Sequence, residues 1–148
     1  MWAVGCILAE LYGRRPLFMG KDQLEQISEI VKILGFPATS IIRKYDWNIA
    51  TAAKDLYLPS SLKHIYPYAS MSAINLMQNL MCWDPQDRLD IHQSLSHTFL
   101  IKVRDPKDEP ECSTPFDFKF EYMATSISDL KSLLQEEVDS FRIERLGP

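Results

Sequence analysis

Nowhere in the 148 residues does an apolar run approach the ~20 residues that a membrane-spanning helix requires. The opening MWAVGCILAELYGRR has no basic stretch ahead of its apolar part, which argues against a secretory signal. Cysteine is scarce. Cys6, Cys82 and Cys112 are odd in number and far apart, so they form neither a disulfide framework nor the close pairs of a zinc site. Reduced thiols in an intracellular protein are the expectation. His64, His92 and His97 stand near no cysteine or carboxylate at ligand spacing, so no metal is expected. No Ser-His-Asp or Cys-His arrangement has supporting context. Internal repeats and low-complexity tracts are also missing.

What remains is the composition of a globular domain with one core, 46% hydrophobic and 24% charged. The net charge of −4 is unevenly spread. Residues 1–103 hold 10 Lys and Arg against 9 Asp and Glu, whereas residues 104–148 hold 6 against 11. An acidic C-terminal third repels phosphate, so nucleic acid is a poor partner for it and a basic peptide a suitable one.

Helical periodicity dominates. Residues 2–12 (WAVGCILAELY) are apolar almost all round, which predicts a helix buried on every side. A chain that opens inside such a helix, with no capping residue before it, reads as the continuation of a longer one. Gly13, Pro16 and Gly20 then break the pattern. Asp22 can cap a second, amphipathic helix through Leu24, Ile27, Ile30, Val31 and Leu34, which Gly35 ends. Residues 38–70 alternate short helical pieces (SIIRKY, ATAAKDLY) with Pro59 and Pro67 and carry no firm assignment. Helical period returns over residues 71–82, followed by a short helix around IHQSLS. Beyond residue 101, Pro106, Pro110 and Pro115 forbid helix, and alternating Phe116, Phe118 and Phe120 suit a short strand or an anchored coil. A last helix, capped by Ser126 or Ser128, carries an apolar stripe through Ile127, Leu130, Leu133, Leu134, Val138 and Phe141.

Several separated motifs occur in one order. WAVGCILAEL resembles the D-x-W-x-x-G start of the central C-lobe helix of eukaryotic protein kinases, with Trp2 and Gly5 in register. GRRPLFMGKDQLEQISEIVKILGFP is similar to the following loop and helix of the mitogen-activated branch, and LKHIYPYASMSAINLMQNLMCWDPQDRLDIHQSLSHTFL to the last two C-lobe helices, with their late D-x-x-x-R turn. RDPKDEPE, PFDFKFE and DLKSLLQEEVDSF resemble the extension with which mitogen-activated kinases wrap back over their lobes. Leu62 and Gln23 depart from the branch pattern, Gln23 standing where some members use an aromatic to bind Phe-rich motifs.

The resemblance implies a mainly α fold. Residues 1–100 would be an incomplete, helical protein-kinase-like C-lobe, and residues 101–148 an extension with an extended acidic segment and a final helix. It further implies a parent Ser/Thr kinase that uses ATP and Mg2+ to phosphorylate Ser or Thr beside proline. The Gly-rich loop, strand lysine, catalytic Asp and Asn, D-F-G, T-x-Y and A-P-E motifs of that chemistry are absent and would lie upstream. No catalytic, cofactor or metal residue is therefore assigned to this chain. Trp2, Gly5 and Arg88 are the structural positions that carry over, the usual partner of Arg88 being the A-P-E glutamate. Solvation of Arg88 and local pairing with Asp84 or Asp87 is the alternative.

Asp105, Asp108 and Glu109 match the acidic docking patch of the branch, which binds basic peptides of upstream kinases, phosphatases and substrates. Flanking prolines keep such a segment extended, and its carboxylates steer basic partners, with Phe99, Leu100 or Phe118 as apolar neighbours. A solvated acidic linker is the plainer reading. The remaining implied partner is the missing N-terminal part of the kinase; no nucleic acid or membrane is implied. The implied location is the cytoplasm and nucleus. A natural, non-catalytic docking decoy is the competing functional reading.

Overall fold

The computed structural model describes residues 1–47 and 60–146; the helical reading of ATAAKDLY falls outside them. The chain divides into two compact units, Met1–Asp105 and Pro106–Pro148. Among the described residues there is no strand, so the architecture is helical throughout.

The first unit contains α1 (Trp2–Gly13), α2 (Gln23–Leu34), α3 (Thr39–Lys44), α4 (Leu62–Ile65), α5 (Met71–Leu80) and α6 (Ile91–Leu95). Local side-chain chemistry sets most of the boundaries. Asp22 Oδ1 accepts the Glu25 N–H at 2.8 Å and starts α2. Gly35, at φ 78°, stops it by donating its N–H to the Val31 carbonyl, a conformation open to glycine without a Cβ clash. Ser61 and Ser70 cap α4 and α5, and Asp90 with Gln93 forms a reciprocal capping box on α6. Met1 gives α1 no side-chain cap.

The core lies where α1 and α4 meet α5. Ala9, Leu62, Tyr66, Ala69, Ala73, Ile74, Met77 and Met81 form one buried cluster, and Cys6, Leu17, Phe18 and Phe99 pack on its edge. Small residues let α1 come close. A Cβ on Gly5 would sit 2.7 Å from Met81 Cγ and 3.0 Å from Leu80 Cβ. Cys6 Sγ reaches Met81 Sδ at 4.0 Å, and burial raises the Cys6 thiol pKa.

The all-round burial expected of α1 is corrected here. Only its Gly5 and Ala9 face is buried, while Val4, Ile7 and Leu11 are 49%, 58% and 73% exposed. Apolar periodicity marks every face that can be buried, but the described residues supply a partner for one face alone.

The second unit has a 3-10 turn at Pro106–Asp108, α7 (Lys119–Met123) and α8 (Ile127–Leu146). Ser126 caps α8: its Oγ accepts the Asp129 N–H at 3.2 Å while Asp129 Oδ2 accepts the Ser126 N–H at 3.0 Å. The strand considered for Phe116–Phe120 does not form. Phe116 and Phe118 are coil, and Phe120 lies inside α7. Their rings cluster edge-on instead, Phe116 with Phe118 at 4.8 Å and with Phe120 at 6.1 Å.

Gly5→Ala sets two effects against each other. Helix propensity favours alanine by roughly 1 kcal/mol, but the new methyl must displace the buried Met81 side chain and crowd the Leu80 Cβ, an overpacking that costs about 1–3 kcal/mol. The variant is expected to lose stability in a urea titration followed by far-ultraviolet circular dichroism. An unchanged or raised midpoint would show that the α1–α5 approach is loose.

Candidate functional site

Arg88 sits where the chain leaves α5. Its Nε donates to the Cys82 carbonyl at 2.8 Å and its Nη2 to the Trp83 carbonyl at 3.2 Å, just beyond the helix end. Both carbonyls lie at the negative end of the helix, where a cation is favoured. The guanidinium also lies over the Trp2 ring, 4.9 Å from its centroid. Among the described residues no carboxylate is within ion-pair distance of it. Local pairing with Asp84 or Asp87 is thus not what holds this half-buried arginine.

Trp2 makes two further ring contacts, stacking on Phe18 at 6.0 Å and tilting against Trp83 at 6.4 Å. Trp83 Nε1 donates to the Gly35 carbonyl at 3.0 Å, so the carbonyl freed by the end of α2 is used by the turn after α5. Trp47 meets Trp83 at 6.0 Å and stacks on Tyr45 at 5.3 Å. Sequence motifs named Trp2, Gly5 and Arg88 separately. The structure brings Trp2 and Arg88 into contact and places Gly5 one turn along α1, against Leu80 and Met81.

Asp84 has a different role from the one weighed for it. It is 6% exposed, and its carboxylate accepts from Lys44 Nζ at 2.7 Å, Tyr45 OH at 2.7 Å and the Gln86 N–H at 2.9 Å. Lys44 also reaches Gln86 Oε1 at 2.7 Å. These bonds tie the end of α3 to the 3-10 turn Pro85–Asp87. The Lys44 and Tyr45 donors, with the Gln86 N–H, hold the Asp84 carboxyl down at about 2. The same two hydrogen bonds, donated to Asp84, raise the pKa of Lys44 and of Tyr45. No sequence pattern announced this clamp, because its members are 39 to 42 positions apart.

The acidic segment falls on the division between the units. Asp105 ends the first, while Asp108 and Glu109 belong to the second. Asp105 leaves a run of turns in which Leu100 N–H donates to the His97 carbonyl and Val103 and Arg104 N–H to the Leu100 carbonyl. Asp105 and Asp108 are exposed and Glu109 is half-buried; Asp105 and Glu109 each have a partner. Phe99 and Leu100 are half-buried, Phe99 against the core, whereas Phe118 is 55% exposed.

An open cavity of about 670 Å³ lies between the end of α1, the following loop, α2 and residues 65–69. Tyr12, Arg15, Met19, Ile33 and Tyr66 are among its walls, and none of the residues expected to function lies there. Burial raises the Tyr66 hydroxyl pKa, opposed by the Arg15 charge. Among the described residues no cluster could hold a metal ion, and no helix is long and apolar enough to cross a membrane.

This helical unit, with its arginine turn closing onto the first helix, is consistent with a fragment of the helical C-lobe of a protein-kinase domain. Residues 1–100 match the family model described as protein kinase domain, so the chain belongs to the protein kinase family. Within it the chain is mitogen-activated-kinase-like. It is 45% identical to the sporulation-specific mitogen-activated protein kinase SMK1 of Saccharomyces cerevisiae over 97% of this chain and 39% of that kinase. It is 36% identical to the mitogen-activated protein kinase SLT2/MPK1 of the same yeast, over 97% of this chain and 30% of the relative. It is also 35% identical to the mitogen-activated protein kinase MKC1 of Candida albicans, over 96% and 29%. The chain thus spans well under half the length of these relatives.

The Asp84 clamp gives a pH dependence of known sign. Its folded pKa lies below the ordinary 3.8, so its stabilisation is present above about 3.8 and is lost as pH falls toward about 2. Asp84→Asn should therefore unfold at lower urea than the parent at neutral pH, with the gap closing between pH 4 and pH 2. A gap of constant size across that window would mean that the carboxylate charge does not carry the clamp.

Proposed function

We propose that this chain serves in a protein serine/threonine kinase of the mitogen-activated type, as the scaffold and partner-docking portion. The parent enzyme would transfer the γ-phosphoryl group of ATP, with Mg2+, to Ser or Thr beside proline, in the cytoplasm and nucleus. The observation that carries this is the reach of the likeness: the general kinase match ends at residue 100, whereas the mitogen-activated relatives align over 96–97% of the chain. Shared sequence beyond residue 100 is the part that a branch-specific task would need.

Docking is the task that the chemistry of that part supports. Asp105, Asp108 and Glu109 gather carboxylates within five residues, and the second unit, which contains the last two, holds 5 Lys and Arg against 10 Asp and Glu. Such a field attracts basic peptides of upstream kinases, phosphatases and substrates, and it sets on-rate and selectivity more than affinity. The open face of α1 suits burial against the rest of a kinase domain, since a fully buried aliphatic side chain contributes roughly 1.5–3 kcal/mol.

Purified alone, the chain is expected to transfer no phosphate from ATP to a Ser-Pro peptide, and measurable transfer would overturn the division of labour proposed. Docking is read by titrating a basic docking peptide onto the chain. Two exposed charge pairs at roughly 0.2–1 kcal/mol each predict an Asp105→Asn, Asp108→Asn variant about 2- to 30-fold weaker. The difference should shrink as added salt screens the carboxylates. Equal binding by parent and variant would exclude these residues as the docking site.

A further inference from the structure

Thr114 precedes Pro115, and it is the only serine or threonine of the 148 residues that is followed by proline. It is exposed, in a bend outside every helix and 3-10 turn. Among the described residues, Cys112 through Asp117 make no backbone–backbone hydrogen bond. The Thr114 carbonyl accepts the Cys112 S–H at 3.0 Å, but among the described residues its hydroxyl has no partner. Several hydroxyls elsewhere are engaged: Ser61, Ser70 and Ser126 accept helix-cap N–H groups, and Ser94 donates to the Asp90 carbonyl at 2.6 Å.

These properties are those a kinase needs in an acceptor. A segment without ladder bonds enters a cleft in extended form and no element has to unfold first. Pro115 disfavours the helical region for Thr114 by its ring contact with the preceding backbone, and it presents no N–H at the next position. An enzyme site shaped for a residue lacking that donor selects Thr114 over its neighbour Ser113.

We propose that Thr114 is a phosphorylation site for a proline-directed serine/threonine kinase acting with ATP. Thr114 Oγ1 attacks the γ-phosphorus, and an O–P bond forms as the bond from that phosphorus to the β,γ-bridging oxygen breaks. ADP departs and the hydroxyl proton passes to the base of the acting kinase. The product carries about −1.5 to −2 of added charge. Lys119, which pairs with Asp117 at 3.2 Å, is the nearest cation along the chain. The inference does not depend on the docking role of Asp105, Asp108 and Glu109.

The test is fragment mass analysis of the full chain after incubation with an active proline-directed kinase and ATP, and of the same protein isolated from its own cells. One phosphate on Thr114 is expected in both. It should be absent from Thr114→Ala, at least about ten-fold slower to form in Pro115→Ala, and unchanged in Ser113→Ala. All three positions lie outside helices, so each variant should retain the circular dichroism of the parent. Phosphate on Ser113 or elsewhere in place of Thr114, indifference to Pro115→Ala, or no phosphate in either preparation would overturn the proposal.

Discussion

Much of the first unit depends on how one arginine is satisfied. Arg88 answers two carbonyls past the end of α5 and at the same time covers the ring at the start of α1. A half-buried guanidinium usually suggests a carboxylate, but carbonyl oxygens at a helix terminus and an aromatic face also offset its desolvation. Because the same turn carries Trp83 to Gly35 and Asp84 to Lys44 and Tyr45, the ends of α2, α3 and α5 and the beginning of α1 are set together. The fold is held at helix ends as much as between helix faces.

The two units differ in what holds them. The first has a buried cluster of small and flexible side chains, with alanines and methionines where α1 crosses α5. None of the described residues of the second is buried. Its order comes from local devices: the reciprocal Ser126 and Asp129 cap, the Gln135 to Asp139 bonds along α8 and the edge-on phenylalanines. The α8 stripe remains apolar and open, from Ile127 at 75% exposure to Leu133 at 37%. Local bonds of this kind fix conformation but contribute little free energy, so the second unit is the one expected to open first.

Legibility followed the range of the interaction. Asp22, Gly35 and Ser126 were readable because a cap acts within three or four residues. The helices over residues 23–34 and 71–80 were readable from apolar period. The open face of α1 was not, since period reports which faces are apolar and not which are covered. α7 was missed because three prolines and alternating phenylalanines outweighed the single turn from Lys119 to Met123. The Asp84 clamp joins positions some forty residues apart and had no local trace. Trp2, Gly5 and Arg88 could be named from motif spacing, but the carbonyl and ring contacts of Arg88 could not.

All three tryptophans of the chain, Trp2, Trp47 and Trp83, belong to one series of ring contacts in the first unit. The second unit has phenylalanine and Tyr122 but no indole. Intrinsic emission excited at the indole band therefore arises in the first unit alone, around the arginine turn. Backbone ellipticity sums the helices of both units, so an emission curve and an ellipticity curve that do not coincide would be the optical signature of two units losing structure separately.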